Sequence, residues 1–322
     1  MSGEFCCSLE LDYTLAVERN ATYDLKFTKS GYAEERRGNV NFVDGTMTLS
    51  DVVIGYSFAG GSGTEQSPYL ISTPGQLNNV RNNLSAHYKL TGDIDLADWG
   101  NWEPIGRGGP DDDWKNIFRG LFDGNGYIIK NMCIYVYGGN WGSQAYFGLF
   151  GYVAGTIKNI GMVDFTIDVT YSRHLWVGGI AGANNFIIDN CYSIGKISTT
   201  SSNEINFVGG VVGGNYGIIN NCYNLGEIKA TSIKYGVIGP QAGGIAGDNS
   251  NSGSINNCQN AGAISAIATD TYSSAQAGGI AGNNFSTTIN SNSSTISSCY
   301  NIGTVSANLP DPHNPNRLAE RP

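Results

Sequence analysis

The sequence predicts an all-β chain wound as a right-handed parallel β-helix. A short helix caps the N-terminal end of this solenoid, and a small β-rich segment precedes it. Three observations carry the reading. A five-residue glycine block recurs along the chain, a second block follows each copy, and apolar residues fall at matching places in successive copies. Composition agrees with this. With 45 glycines in 322 residues and only 14% charged side chains, the chain is turn-rich, and its Ile, Val and Tyr content separates it from disordered chains.

The first block reads Gly178-Gly-Ile-Ala-Gly182, Gly209-Gly-Val-Val-Gly213, Gly243-Gly-Ile-Ala-Gly247 and Gly278-Gly-Ile-Ala-Gly282, with Phe147-Gly-Leu-Phe-Gly151 as a degenerate earlier copy. The second reads Ile188-Asp-Asn-Cys-Tyr-Ser-Ile-Gly195, Ile219-Asn-Asn-Cys-Tyr-Asn-Leu-Gly226, Ile255-Asn-Asn-Cys-Gln-Asn-Ala-Gly262 and Ile296-Ser-Ser-Cys-Tyr-Asn-Ile-Gly303. Ile129-Lys-Asn-Met132 and Ile157-Lys-Asn-Ile160 match its beginning. A coil of this length cannot bury its apolar side alone, so neighbouring coils must stack. Stacked strands lie about 4.8 Å apart and place equivalent side chains over one another.

Two columns follow from the alignment. Asn131, Asn159, Asn190, Asn221, Asn257 and Ser298 form one, expected as an amide ladder at a turn. Met132, Ile160, Cys191, Cys222, Cys258 and Cys299 form the next. Because that slot accepts Met and Ile, its cysteines read as buried free thiols, and no Cys-x-x-Cys pair offers a zinc site. Gly-Gly before Ile-Ala marks a bend where a side chain does not fit. Ile188, Cys191, Ile194 and Ile197 lie three apart, which reads as short core-facing strands separated by corners. Successive steps of the Met/Ile/Cys column lengthen from 28 to 41 residues, with the extra length in polar stretches such as 199–206 and 286–295. Insertions of that kind fall on the outside, where function often sits.

Thr73 is placed as an N-cap with Pro74 first in a short helix whose Leu77, Val80 and Leu84 share a face. Such a helix covers the unpaired end of a β-helix. His87–Leu96 then reads as the first coil. The predicted division is 1–57 as a β-rich segment, 58–66 as a linker, 67–308 as the solenoid and 309–322 as a disordered or appended tail. The start of the chain lacks a basic, apolar leader and reads like the interior of a longer secreted polypeptide.

These blocks resemble the GLUG repeat of bacterial secreted and surface proteins, including regions of some streptococcal IgA1-type metallopeptidases and adhesin-like proteins. Thr64-Glu-Gln-Ser-Pro-Tyr-Leu-Ile, Trp102-Glu-Pro-Ile-Gly106 and Phe122-Asp-Gly-Asn-Gly126 also look like the usual leader of GLUG arrays. The resemblance spans roughly residues 63–307 and implies a scaffold on a secreted or cell-surface protein. The peptidase activity of such proteins lies outside the repeats, and no His-Glu-x-x-His occurs here. Tyr23–Tyr32 looks like the end of a β-sandwich of the carboxypeptidase regulatory-like kind. Asn39–Asp51 faintly resembles a dockerin calcium loop, but Asn39, Asn41 and Asp44 are poorly spaced for that ion.

Charge and motifs bound the function. A net charge of −9 argues against nucleic acid and anionic membranes, and no run of 18 apolar residues spans a bilayer. No nucleophile elbow or P-loop appears, so no catalytic residue, resident metal or cofactor is assigned. His174, beside Arg173 and Trp176, reads as surface decoration rather than a base. The acids Asp164, Asp168, Asp189, Glu204, Glu227, Asp248 and Asp270 are scattered, whereas glycoside hydrolysis needs a pair at a set separation. The candidate ligand residues are Asp111, Asp112, Asp113 and Trp114, able to hold a sugar or calcium, with Trp141, Tyr171, Trp176 and Tyr235 as sugar-stacking aromatics. The expected role is non-catalytic: a rigid spacer or an adhesive surface toward polysaccharide or cell-surface glycan. The alternatives are a polysaccharide lyase or glycoside hydrolase, and an accessory region of a surface peptidase.

Overall fold

The computed structural model describes residues 58–108, 115–139, 141–202, 205–233, 239–269, 273–285 and 293–309, and the backbone of strands at 4–8, 22–28, 35–41, 310–311 and 314–319. From Tyr69 onward the chain winds as a parallel β-helix. One coil shows the plan. Ile187–Asp189 is a short strand, Tyr192–Ser201 a long wall, Asn206–Gly209 a third side and Val212–Asn215 the fourth. Each strand pairs in parallel with its counterparts in adjoining coils, and the two walls flanking the Gly-Gly turn each hold five strands. Like sits over like: Ile157, Ile188, Ile219, Ile255 and Ile296 form one column, buried in its first four members.

The turn column is as expected. Asn131, Asn159, Asn190, Asn221, Asn257 and Ser298 all hold φ between 51° and 60°, the left-handed region that Asn tolerates best after Gly. Its ladder is mixed: Asn190 donates to Asn159 at 2.8 Å and Asn257 to Asn221 at 2.7 Å, while Asn131, Asn159 and Asn221 donate to Asp95, Asp123 and Asp189.

The cysteine column stacks as free thiols, with Cys191, Cys222 and Cys258 buried and Cys299 partly so. The slot is not merely apolar. Each sulfur accepts the main-chain N–H of the preceding cysteine, at 3.4 Å for Cys191 to Cys222, 3.4 Å for Cys222 to Cys258 and 3.3 Å for Cys258 to Cys299. Burial pushes the Cys222 thiol well above its ordinary pKa, so it stays protonated.

One detail differs from the sequence expectation. Ile194 does not point into the core; the inward position beside it is Ser193. Ser193, Asn224, Asn260 and Asn301 stack as an interior ladder, with Asn224 donating to Asn260 and Asn260 to Asn301 at 2.7 Å each. Each of these asparagines also accepts from the N–H and donates to the carbonyl of the glycine two residues on. A third ladder, Asn184–Asn215–Asn249–Asn284, runs at 2.8 Å per step along the adjoining wall. The strand is therefore period two, with polar groups inside because neighbouring coils satisfy them.

The Gly-Gly turn follows from the same ladder. A Cβ on Gly210, Gly244 or Gly279 would stand 2.4 Å from the amide carbon of Asn224, Asn260 or Asn301, so the second glycine admits the interior amides.

The N-terminal cap forms at the place read from sequence, except that Leu84 lies past the last helical turn, which ends at Asn82, and is only partly buried. Thr73 accepts the Gln76 N–H at 3.3 Å, Pro74 begins a helix to Asn79, and Leu77 and Val80 are buried over the first coil. A rung precedes the His87–Leu96 coil, since Tyr69–Ile71 pairs in parallel with His87–Leu90. The stretch read as a linker contributes to the cap: Gly60 pairs antiparallel with Leu70, and Phe58 stacks on Tyr69 at 4.4 Å. Strands at 4–8, 22–28 and 35–41 form a small sheet; the side chains of Asn39 and Asn41, and all of Asp44, lie outside the described residues. In the predicted tail, 314–319 pairs antiparallel with 309–311.

Candidate functional site

The sequence-predicted residues that are described fall in two separate places. Asp111, Asp112, Asp113, Trp114 and Tyr235 lie outside the described residues. Trp141 and Tyr171 are brought together: the Trp141 main-chain N–H donates to the Tyr171 hydroxyl at 3.2 Å, and that hydroxyl donates to the Gly142 carbonyl. Trp141 packs edge-on against Phe147 at 4.8 Å, and the Arg107 guanidinium lies 4.1 Å from its ring centre. Tyr171 is only 3% exposed. Trp176 belongs to a separate cluster. Its ring stacks on Tyr146 at 5.1 Å, its Nε1–H donates to the Tyr216 hydroxyl at 3.1 Å, and it is 7% exposed. These positions make Tyr171 and Trp176 packing groups whose ring faces are covered by protein. Tyr137 is an exposed aromatic, and its hydroxyl donates to Asp168 at 3.0 Å.

Beyond this cluster stands Asp248, buried in register between Gly214 and Asn283. Burial raises its pKa above the ordinary carboxylate range, against hydrogen bonds from Ser250 at 2.6 Å and Asn283 at 2.7 Å. Burial, and then the Asp248 charge, push the Tyr216 phenol up as well.

Two grooves open on the outside. The first, of about 490 Å³, runs along the long wall where an extra residue, Asp164, bulges out between Val163 and Phe165 with φ of 52°. Gly195 and Gly226 lie along it, Ile194 and Leu225 supply apolar surface, and Asp164, Lys196 and Glu227 bring charge. Lys196 stands in register with Glu227. Two residues earlier on the same outward face, Tyr192 and Tyr223 stack at 4.8 Å with their planes within 3°. Sequence reasoning missed this groove because the three-residue spacing reads Ile194 as core. The available signal was the Tyr-x-Ile/Leu-Gly order repeated in Tyr192–Gly195, Tyr223–Gly226 and Tyr300–Gly303.

The second groove, of about 440 Å³, lies between the capping helix and the Trp102–Gly106 segment, with Arg81, Leu84, Glu103, Pro104 and Arg107 among its lining. Arg81 donates from Nε to the Asn78 side chain at 2.8 Å and from Nη2 to the Glu103 carbonyl at 2.9 Å, and it lies 5.5 Å from the Trp102 ring centre. Arg107 bonds the Glu103 carboxylate at 2.7 Å. Among the described residues no group of three or more His, Cys, Asp or Glu side chains converges, and no helix is long and apolar enough to cross a membrane.

No family model matches the chain. It is 40% identical over 142 residues, 41% of its length, to a protein of Evansella cellulosilytica described as a Gly-rich membrane protein. It is 31% identical over 151 residues, 43% of its length, to halomucin of Haloquadratum walsbyi. The matched stretches are 15% and 2% of those relatives' lengths. Among solved structures, the chain resembles a Bacteroides ovatus protein described as an immunoglobulin A1 protease. The TM-score is 0.51, the identity 20%, and 83% of each chain is covered, which establishes a shared fold.

Proposed function

We propose that this chain is a non-catalytic repeat module of a secreted or cell-surface protein, a rigid spacer whose flank adheres to carbohydrate. Relatives of the Gly-rich membrane type and the GLUG-like blocks support the surface placement. One observation carries the adhesive role: the flank groove sets apolar Ile194 and Leu225 beside Asp164, Lys196 and Glu227, next to the Tyr192–Tyr223 stack. A sugar ring has an apolar face and a hydroxyl rim, and this strip offers a match to both. A glycan array probed with the chain and with Leu225→Glu tests the reading. Loss of signal in the variant is expected; identical profiles would remove the flank from the argument.

A second reading has an observation of its own. Asp164 and Glu227 line one groove, as the acids of a glycosidase or lyase flank their bond. Release of reducing ends from polysaccharide, abolished in Asp164→Asn and Glu227→Gln, would establish it. The third role, as part of a surface peptidase, rests on the repeat resemblance and is tested by the activity of a longer chain carrying this module.

A further inference from the structure

We propose that the groove beside the capping helix is a second binding site, specific for the acidic group of a sugar, with a carboxylate or sulfate oxyanion held between Arg81 and Arg107. The proposal is independent of the flank groove and stands on how these two cations are held.

Both guanidiniums are fixed before any ligand arrives. Arg81 rests by Trp102 and is pinned by Asn78 and the Glu103 carbonyl, while Arg107 rests on Trp141 and is tied to the Glu103 carboxylate. A guanidinium carries five N–H donors in a planar fork. The contacts described engage Nε of Arg81 fully, one N–H of its Nη2, one of its Nη1 weakly at 3.5 Å, and one N–H of Arg107. Donors remain on both forks, and planar paired donors suit carboxylate and sulfate oxygens.

The charge count points the same way. Among the described residues the groove holds two arginines and one carboxylate, and that carboxylate bonds to Arg107, offering Arg81 its main-chain oxygen. Burial, with Arg107 nearby, lowers the Arg81 pKa from its ordinary value, although Arg81 remains a cation at any physiological pH. Those described residues carry a surplus of one positive charge, on a chain of net charge −9. The same net charge repels long polyanions, so the favoured ligand is a single acidic sugar unit on an otherwise neutral glycan. Leu84 and Pro104 supply apolar surface for a ring, and about 440 Å³ admits a monosaccharide.

Calorimetry on the full chain, with galacturonic acid, galactose 6-sulfate and galactose as probes, tests this. The acidic sugars should bind with roughly millimolar affinity, weakened by salt, and galactose should not bind. Binding by only one acid supports the site and identifies its oxyanion. Arg107→Met, which keeps cover over Trp141, should weaken acid binding about tenfold or more. Glu103→Gln removes the competing carboxylate and should strengthen it about threefold. Lys229→Ala, which removes an exposed cation lining neither groove, should leave it unchanged. Equal binding of all three sugars, binding of none, equal binding of plain acetate or sulfate, weaker binding in Glu103→Gln, or full affinity in Arg107→Met would each overturn the proposal.

Discussion

The first coils and the last ones fill the same cross-section with different material. At the N-terminal end Trp102, Phe118, Phe122, Phe147 and Phe150 occupy the interior. Three coils later the interior is Ala230, Ala242, Ala246 and Ala266 with valines, isoleucines and cysteines. The first and last described coils also differ in how far their interiors are covered. The helix and Phe58–Tyr69 cover the first rung, whereas Ile296 is 37% exposed and Val305 38%, although Ile255 and Ile264, directly one coil earlier, are buried. Large aromatics gain from area, whereas small apolar residues bring less. The later coils compensate with amides: both interior asparagine ladders begin only at Asn184 and Asn224, where the aromatic filling stops. One fold is thus held first by packing and then by repeated hydrogen bonds.

The largest test of that contrast is Phe150→Ala. Phe150 is fully buried and meets Phe118 at 5.0 Å and Phe122 at 5.3 Å, so the truncation leaves a cavity among rings. We expect a loss of about 3–5 kcal/mol in denaturant unfolding. A loss below about 1 kcal/mol, no more than that of a surface change, would show that the aromatic coils do not depend on packing.

Asn224→Ala tests the other half. It removes the bond to Asn260 and orphans both main-chain groups of Gly226 inside the solenoid. About 2–3 kcal/mol should be lost, with faster hydrogen exchange in the adjoining coils. The exposed turn ladder gives the control: Asn221→Ala, at φ of 54°, should cost only about 1 kcal/mol, and Asn221→Gly less than that. Equal costs at 221 and 224 would mean the ladders act through turn geometry alone.

These two asparagines also show what was legible. The turn column was readable because its Asn is followed by an apolar slot in every copy, from Asn131-Met132 to Asn257-Cys258. The fold class, the cap at Thr73 and the buried thiols were readable for similar reasons, since recurrence and local capping rules specify them. The interior column at Ser193 and Asn224 was not, because the three-residue spacing assigns Ile194, and not the polar residue before it, to the core. Stacking inverts that rule, since a polar group with a copy of itself one coil away carries no desolvation debt. The same inversion hid the flank groove. The Arg81–Arg107 groove was hidden for another reason: its two arginines meet only through Glu103, and nothing in spacing links Arg81 to that segment.

Asp248 breaks the pattern of neutral ladders and gives a pH-dependent test. Its carboxyl pKa is raised on folding, so the folded chain holds that proton more tightly than the unfolded one. At acid pH, below the unfolded value of about 3.9, the group is neutral in both states and costs nothing. As pH rises past that value the unfolded form ionises first, and stability falls until the folded carboxyl also ionises. Asp248→Asn matches its register neighbour Asn283 and keeps partners for Ser250. The variant should melt higher than the parent at pH 7 and at the same temperature at pH 3. A parent that is favoured at pH 7 would show that an unseen cation or ligand pairs with Asp248.

The smallest effect is expected on the outer wall. Lys196 faces Glu227 across the flank groove, in register but in water, and Asp164 lines the same groove. Exposed pairs contribute about 0–1 kcal/mol, and salt screens them. Lys196→Ala should therefore shift unfolding by under about 0.5 kcal/mol, and the shift should vanish at high salt. Stability at this wall comes from main-chain pairing and the amides behind it, which leaves its charges available for a ligand. A loss as large as that of Asn224→Ala would mean that the surface charges, and not the interior ladders, hold the later coils in register.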